Sequence, residues 1–256
     1  MSFFWCQNRN FLFSCVGEAR FLLLNHCLLG GYCLVGVGKV YSSRSDSSEL
    51  QVSSFKDIGA VISFFDKYPL ITQKLADYLL FKQVFELISN KEHLTIEGLK
   101  KIIAIKASIN KGLPDELQEA YPDIEPVNRC IVVNKEIPDP NWLVGFTSGE
   151  GCFAVRVFDS SHHQLGSQVQ LRFQLTQQAR DEELMGSIVK YLNCGRISKR
   201  GDIIDLHVTK LTDITENIIP WFAEYPVIGV KKENFEDFCK VAELMKKGAH
   251  RLFPPY

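Results

Sequence analysis

The sequence carries no surplus of either charge: 29 lysines and arginines stand against 30 aspartates and glutamates, a formal net charge of −1. Bulk attraction to a polyanion is therefore excluded, and any nucleic-acid function must rest on a local basic surface. Closely paired cysteines are missing too. None of the eight cysteines forms a Cys-x-x-Cys spacing, and Cys130, Cys152, Cys194 and Cys239 lie far apart, which excludes a disulfide framework and points to free thiols in a reducing compartment. A long apolar run is nearly absent. Residues 21–37 have no formal charge, but Asn25, His26 and Gly30-Gly31 interrupt a stretch already at the lower limit for crossing a bilayer. No basic flank opens the chain as a secretory signal would, so no membrane partner is expected.

What the chain does have is an internal repeat. Val61-Ile62-Ser63-Phe64-Phe65-Asp66-Lys67-Tyr68-Pro69-Leu70-Ile71 is echoed by Ile218-Ile219-Pro220-Trp221-Phe222-Ala223-Glu224-Tyr225-Pro226-Val227-Ile228 at an offset of 157 residues. The match continues from Lys74 to Lys231, Phe81 to Phe238, Val84 to Val241 and Glu86 to Glu243, and upstream it pairs Gly38 with Gly195. Two copies of one unit are expected to organise the fold. Counting back by the same offset from residues 142–152 leads to a position before residue 1, so the first copy is expected to lack its opening section.

In the second copy, Asp139-Pro140 reads as N-cap and first residue of a helix over 141–149. Residues 152–159 and 167–177 alternate with the strand period, and 181–192 has helical spacing. Two further strands at 195–199 and 203–209 flank a turn, and helices follow at 211–223 and 233–247. The first copy supplies strands near 39–42 and 50–53 and helices at 55–65, 75–89 and 95–109. The expected organisation is a divergent segment at 1–35, a partial first repeat at 36–112, a proline-rich acidic linker at 113–138, and a second repeat at 139–256 that is shortened at its end.

Three groups of residues point to chemistry. Gly145 and Gly149 lie four apart on one helical face of Trp142-Leu143-Val144-Gly145-Phe146-Thr147-Ser148-Gly149-Glu150-Gly151. Each costs about 1 kcal/mol relative to alanine, so a close packing partner is expected. Glu150 would sit at the helix C-terminus, where the macrodipole disfavours a carboxylate; holding a hard cation accounts for such a placement, and an incidental solvated turn is the plain alternative. Along 168–178, Gln168, Gln170, Arg172, Gln174, Thr176 and Gln178 point one way while Val169, Leu171, Phe173 and Leu175 point the other. A solvated sheet face is the ordinary reading of that pattern. Gln, Arg and Thr also suit base edges in the major groove, and Arg156, Arg196, Ser198, Arg200, Asp205, His207 and Thr209 would extend the face. Lys39, Tyr41, Gln51 and Ser53 are the first-copy counterparts. Lys74 and Lys231, one per copy after each Tyr-Pro, are either ordinary surface lysines or stabilisers of charge at a phosphate.

The run ending in Glu150-Gly151 resembles the second motif of the LAGLIDADG homing endonucleases. The resemblance extends through Tyr68-Pro69-Leu70-Ile71-Thr72-Gln73-Lys74, Asn90-Lys91-Glu92-His93-Leu94-Thr95, residues 170–177 and Phe235-Glu236-Asp237-Phe238, and covers roughly residues 36–248. It implies an α+β fold of αββαββα repeats with saddle-shaped antiparallel sheets, the N-terminal repeat being incomplete. It further implies an intron-encoded, mitochondrial endonuclease that cuts both strands of a long duplex DNA site with magnesium. Glu150 takes the metal-binding position, and Lys74, Lys231 and Gln177 stand around the metal centre. DNA would be met by Lys39, Gln51, Arg156, Gln168, Gln170, Arg172, Gln174, Thr176, Arg196, Ser198, Arg200, His207 and Thr209.

The family uses two motif helices, each giving one acid to a two-metal site, and no Gly-x-x-x-x-Glu/Asp-Gly pattern occurs in residues 1–30. The second acid is thus absent, the 142–149 helix is expected to expose its packing face, and the first sheet is expected to be half missing with an open edge. A partly ordered chain, or one that needs a second copy of itself, is then expected. Intron RNA binding as a maturase, or a non-catalytic remnant, are the alternatives to cleavage.

Overall fold

Two antiparallel sheets of four strands each carry the described part of the chain, and their strand orders are the same. The computed structural model describes residues 11–14, 18–24, 36–44, 47–110, 112–132, 136–159 and 166–248. These fall into two units, one within residues 8–135 and the other within residues 136–256.

In the first unit, β1 (Phe11–Ser14) pairs with β2 (Glu18–Leu24), which pairs with β4 (Ser47–Val52), which pairs with β3 (Lys39–Arg44). α1 (Phe55–Lys67) starts at Ser54, whose Oγ accepts from the Asp57 amide at 3.1 Å, and buries Ile58, Val61, Ile62 and Phe65. α2 (Lys74–Ser89) and α3 (Ile96–Ser108) follow, and a short α4 (Asp115–Ala120) lies in the connector. The connector is fastened rather than loose. Ser108 Oγ donates to the Val127 carbonyl at 2.5 Å, Arg129 Nη1 to the Ser108 carbonyl at 3.1 Å, and Arg129 Nη2 lies 2.9 Å from the buried Asp77.

The second unit opens with α5 (Pro140–Glu150), capped as its sequence predicts: Asp139 Oδ1 accepts from the Asn141 amide at 2.6 Å. β5 (Gly151–Asp159) and β6 (Ser167–Gln178) form a hairpin. α6 (Glu182–Leu192), β7 (Arg196–Arg200) and β8 (Ile203–Val208) come next. A helix α7 spans 211–224, π-wound over Ile214–Ile218, and α8 (Val230–Lys246) ends the described chain. One face of this sheet packs an aromatic core in which the Phe153 ring lies 5.2 Å from Phe173, 5.3 Å from Phe222 and 5.5 Å from Phe238.

The repeat survives in backbone detail. Tyr68 and Tyr225, which end α1 and α7, have φ/ψ of −125°/81° and −118°/81°. Gly38 and Gly195 both have positive φ, +98° and +93°, and a Cβ on either would come within 3.1 Å of the neighbouring strand's carbonyl, Gln51 or His207.

Two expectations fail. The first sheet is not half missing, because β1 and β2 supply its outer pair in the same order as β5 and β6. Phe13 pairs Ala19 and Ala19 pairs Val52, as Phe153 pairs Phe173 and Phe173 pairs Val208. The connection between the first two strands covers only 15–17, against 160–166 in the second repeat, so a constant offset overshoots the start of the chain. Nor does α5 expose an apolar face: every residue from Trp142 to Ser148 is buried within the single chain. No second copy is needed to cover this helix. No helix among the described residues is long and apolar enough to cross a membrane.

Candidate nucleic-acid interface and metal centre

The period of a strand decides which side chains share a face, and the burial of β6 keeps that period from Gln170 to Gln178. Leu171, Phe173 and Leu175 are buried, while Gln168, Gln170, Arg172, Gln174 and Thr176 are half-buried on the opposite side. Register adds their neighbours. Arg156 pairs Gln170 and Ala154 pairs Arg172 on β5; Gln174 pairs His207 and Thr176 pairs Asp205 on β8; Arg196 and Ser198 of β7 pair His207 and Asp205. Eleven of the residues expected on DNA belong to this second unit, and ten of them lie on one sheet face; Thr209 lies just beyond the end of β8. Lys39 and Gln51 pair with each other in the first sheet, in the place of Arg196 and His207.

The face is braced from beneath. Arg156, Arg172, Gln174, Ser198, Arg200, Asp205 and His207 line a shallow hollow of about 390 Å³. Asp205 is fully buried and His207 nearly so, at 0 % and 8 % exposure. His207 is hydrogen-bonded to Arg172, and its Nε2 lies 2.6 Å from Ser198 Oγ. Burial favours the neutral acid at Asp205, but hydrogen bonds from Thr176, Arg200 and Gln174 outweigh it and hold the carboxyl below its ordinary value. At His207, burial and then the Arg172 charge push the imidazole below its ordinary value.

Both groups therefore prefer their deprotonated forms in the fold, and the unfolded chain binds more protons as pH falls. Stability from His207 should be complete above about pH 6.5 and decline below it; that from Asp205 should persist to below pH 3.8. Urea midpoints measured against pH should thus fall in two stages, and His207→Gln should remove the first. A wild-type curve that is flat between pH 7 and 5 would contradict the assignment.

The acid position lies where α5 becomes β5. Glu150 is the last helical residue, half-buried, with Oε1 shielded from solvent. Gly151 is required next, since a Cβ there would sit 2.5 Å from the Thr147 carbonyl oxygen. Lys231, near the start of α8, donates from Nζ to the Gly151 carbonyl, so a cation stands one residue from the carboxylate. The Ile228 amide donates to Ser148 Oγ at 3.4 Å, tying the Tyr-Pro turn to the same helix end. Gln177 is buried, as its apolar side of β6 requires, two residues past the Leu175 that pairs Gly151. Its Oε1 accepts from the Gln178 amide at 3.2 Å. Lys74 belongs to the first unit, where its Nζ is 3.5 Å from buried Asp77.

Among the described residues no three His, Cys, Asp or Glu side chains cluster as metal ligands. The donors at the end of α5 are oxygens only, a carboxylate and terminal helix carbonyls, and that set fits a hard divalent cation. Cys130, Cys152, Cys194 and Cys239 are free thiols.

Against known families, the LAGLIDADG endonuclease profile matches residues 24–85 and 143–242. The chain belongs to the LAGLIDADG endonuclease family. Among curated relatives, probable intron-encoded endonuclease 3 of Neurospora crassa is 40 % identical over 85 % of this chain and 41 % of its own length. Probable intron-encoded endonuclease 2 of the same organism is 36 % identical over 79 % of this chain and 46 % of its own. The chain therefore spans less than half the length of these two relatives. A solved structure of I-SmaMI, bound to uncleaved DNA target in the presence of calcium ions, is 42 % identical with a TM-score of 0.88, covering 91 % of this chain and 82 % of that one. Family membership and the α+β fold thus agree with the reading from sequence. Asp205 was legible only as one more polar residue of the face; its role as a buried hub had no signal in the sequence.

Proposed function

We propose that this chain binds a long duplex DNA site through the polar faces of its sheets and hydrolyses the phosphodiester backbone with magnesium at Glu150. The observation that carries the proposal is the junction of α5 and β5, where the Glu150 carboxylate and the Lys231 ammonium are brought within one residue of each other through the Gly151 carbonyl. Glu150 would hold the cation, and Lys231 would steady negative charge developing on the scissile phosphate. A divalent cation held there would supply Lewis acidity and lower the pKa of bound water. Lys74 is the counterpart from the first repeat, and Gln177 supports the end of β6 behind the acid. The relatives' names support an intron-encoded endonuclease, and the DNA bound to I-SmaMI supports duplex DNA as substrate; action in mitochondria is part of the proposal. We assign the first repeat to the residues up to 112, β1 and β2 included, and the second to 139–256, with 113–138 between them.

One observation favours a second reading, in which the chain binds nucleic acid, intron RNA included, without cutting both strands. Phe13 takes the place of Phe153, so the residue in the place of Glu150 is by sequence Asn10, an amide with no charge. The purified chain incubated with a randomised duplex library, with and without magnesium, separates the readings. Double-strand breaks only with magnesium are the expected result. Salt-sensitive binding without breaks would leave the second reading alone standing.

A further inference from the structure

Register brings four polar side chains together across three strands: Gln174 and Thr176 of β6, Asp205 of β8 and Arg200 of β7. Asp205 joins them. Its Oδ1 accepts from Thr176 Oγ1 at 2.6 Å and from Gln174 Nε2 at 2.9 Å. Its Oδ2 accepts from Arg200 Nη2 at 2.7 Å and Nε at 3.1 Å.

These bonds restrict what each outer residue can offer a base pair. Arg200 is engaged along its Nε–Nη2 edge, which leaves the terminal Nη1–Nη2 fork, on a side chain that is 70 % exposed. Two parallel donors match the O6 and N7 acceptors of guanine. Gln174 is restricted in the opposite sense. An ionised carboxylate only accepts, so the amide nitrogen, and not the oxygen, must face Asp205. Thr176 Oγ1, 3.0 Å from the same nitrogen and 2.6 Å from Oδ1, lies on the same side of it, so the two oxygens together hold the donor end of the amide. The amide oxygen is left as the acceptor. It can accept from an exocyclic amino group, cytosine N4 or adenine N6.

We propose that Asp205 is a specificity-determining positioning residue, which presets Arg200 to read guanine and Gln174 to read a base amino group. It acts from beneath the face without touching DNA, and the proposal rests on the duplex-DNA reading of that face. The depressed carboxyl of Asp205 keeps the arrangement ionised at neutral pH.

The test is the base preference of the full chain, selected on a randomised duplex library, for wild type, Asp205→Asn, Arg200→Lys and Thr176→Val. Wild type is expected to favour guanine about tenfold at one position and amino-bearing bases at a neighbouring one. The amide introduced by Asp205→Asn can donate as well as accept, which unbraces Arg200 and lets Gln174 turn. Both preferences should then fall about tenfold while selection elsewhere in the footprint persists. Arg200→Lys keeps the charge but loses the fork, and should erase the guanine preference alone. Thr176→Val removes one of the two oxygens that hold the Gln174 amide and should weaken the preference at the neighbouring position alone.

Melting curves and circular dichroism accompany each variant. Should Asp205→Asn fail to fold, the other two carry the test, and unchanged profiles in both overturn the proposal. A uniform loss of affinity over all sequences would assign Asp205 a purely structural role and also overturn it. A selective wild type with unaltered variants removes this proposal alone, whereas a wild type that selects no sequence removes the duplex-DNA reading and this proposal with it.

Discussion

Glu150→Gln should abolish magnesium-dependent cleavage while leaving duplex binding in place. Glutamine has nearly the volume of glutamate, so the packing at the end of α5, where Ser148 is tied to the turn before α8 and Gly151 to Lys231 in its first turn, has no reason to change. What changes is the charge offered to the cation. A hard divalent ion takes a carboxylate oxygen far more readily than a neutral amide oxygen. Among the described residues no three His, Cys, Asp or Glu side chains cluster as an alternative site. A loss of about a hundredfold or more in the single-turnover rate is expected, the scale seen when one element of charge stabilisation is removed from a phosphoryl or acyl centre. Binding should hold or strengthen slightly, since one negative charge beside the polyanion is gone. Cleavage by the variant at the wild-type rate would show that another residue holds the metal.

Phe173→Ala should produce the largest loss of stability from a single change in the second unit. The ring is fully buried at the middle of β6, 5.2 Å from the Phe153 ring and 5.4 Å from Phe222. Its removal forfeits the transfer free energy of a phenyl group and leaves a cavity between a sheet and a helix, about 3–5 kcal/mol together. Urea denaturation should show a lower midpoint at unchanged slope. Gln170→Ala, three residues away on the other face of the same strand, should leave the midpoint within about 0.5 kcal/mol of wild type and alter binding to DNA. If the two variants are equally destabilised, the division of β6 into a core face and a recognition face is wrong.

Much of this architecture could be read from the sequence because local chemistry and tertiary role coincide. The alternation in β6 reflects a sheet with one dry face, and Asp139-Pro140 starts α5 with a cap that needs no distant partner. The Tyr-Pro pairs mark the ends of α1 and α7 in both repeats. β1 and β2 were hidden for two reasons. Phe11-Leu12-Phe13 and Phe21-Leu22-Leu23-Leu24 are continuous apolar runs without the period of two, and the shortened connection between them shifts the repeat. At the site, Glu150 was visible because it breaks a helix rule in its own segment. The Lys231 contact with Gly151 and the bonds that converge on Asp205 span 80 and up to 31 positions along the chain. No local pattern encodes such partners.

The fastening of the connector closes a loop on α3. Lys106 holds the Gly112 carbonyl at 2.7 Å, and the Val127 amide returns to the Ala104 carbonyl at 3.3 Å. Everything between, α4 included, is a closed excursion whose two ends are pinned to the same helix. Added sequence there would enlarge the loop at about 0.6 kcal/mol per doubling of its length. The excursion at 113–126 is therefore a tolerant graft point.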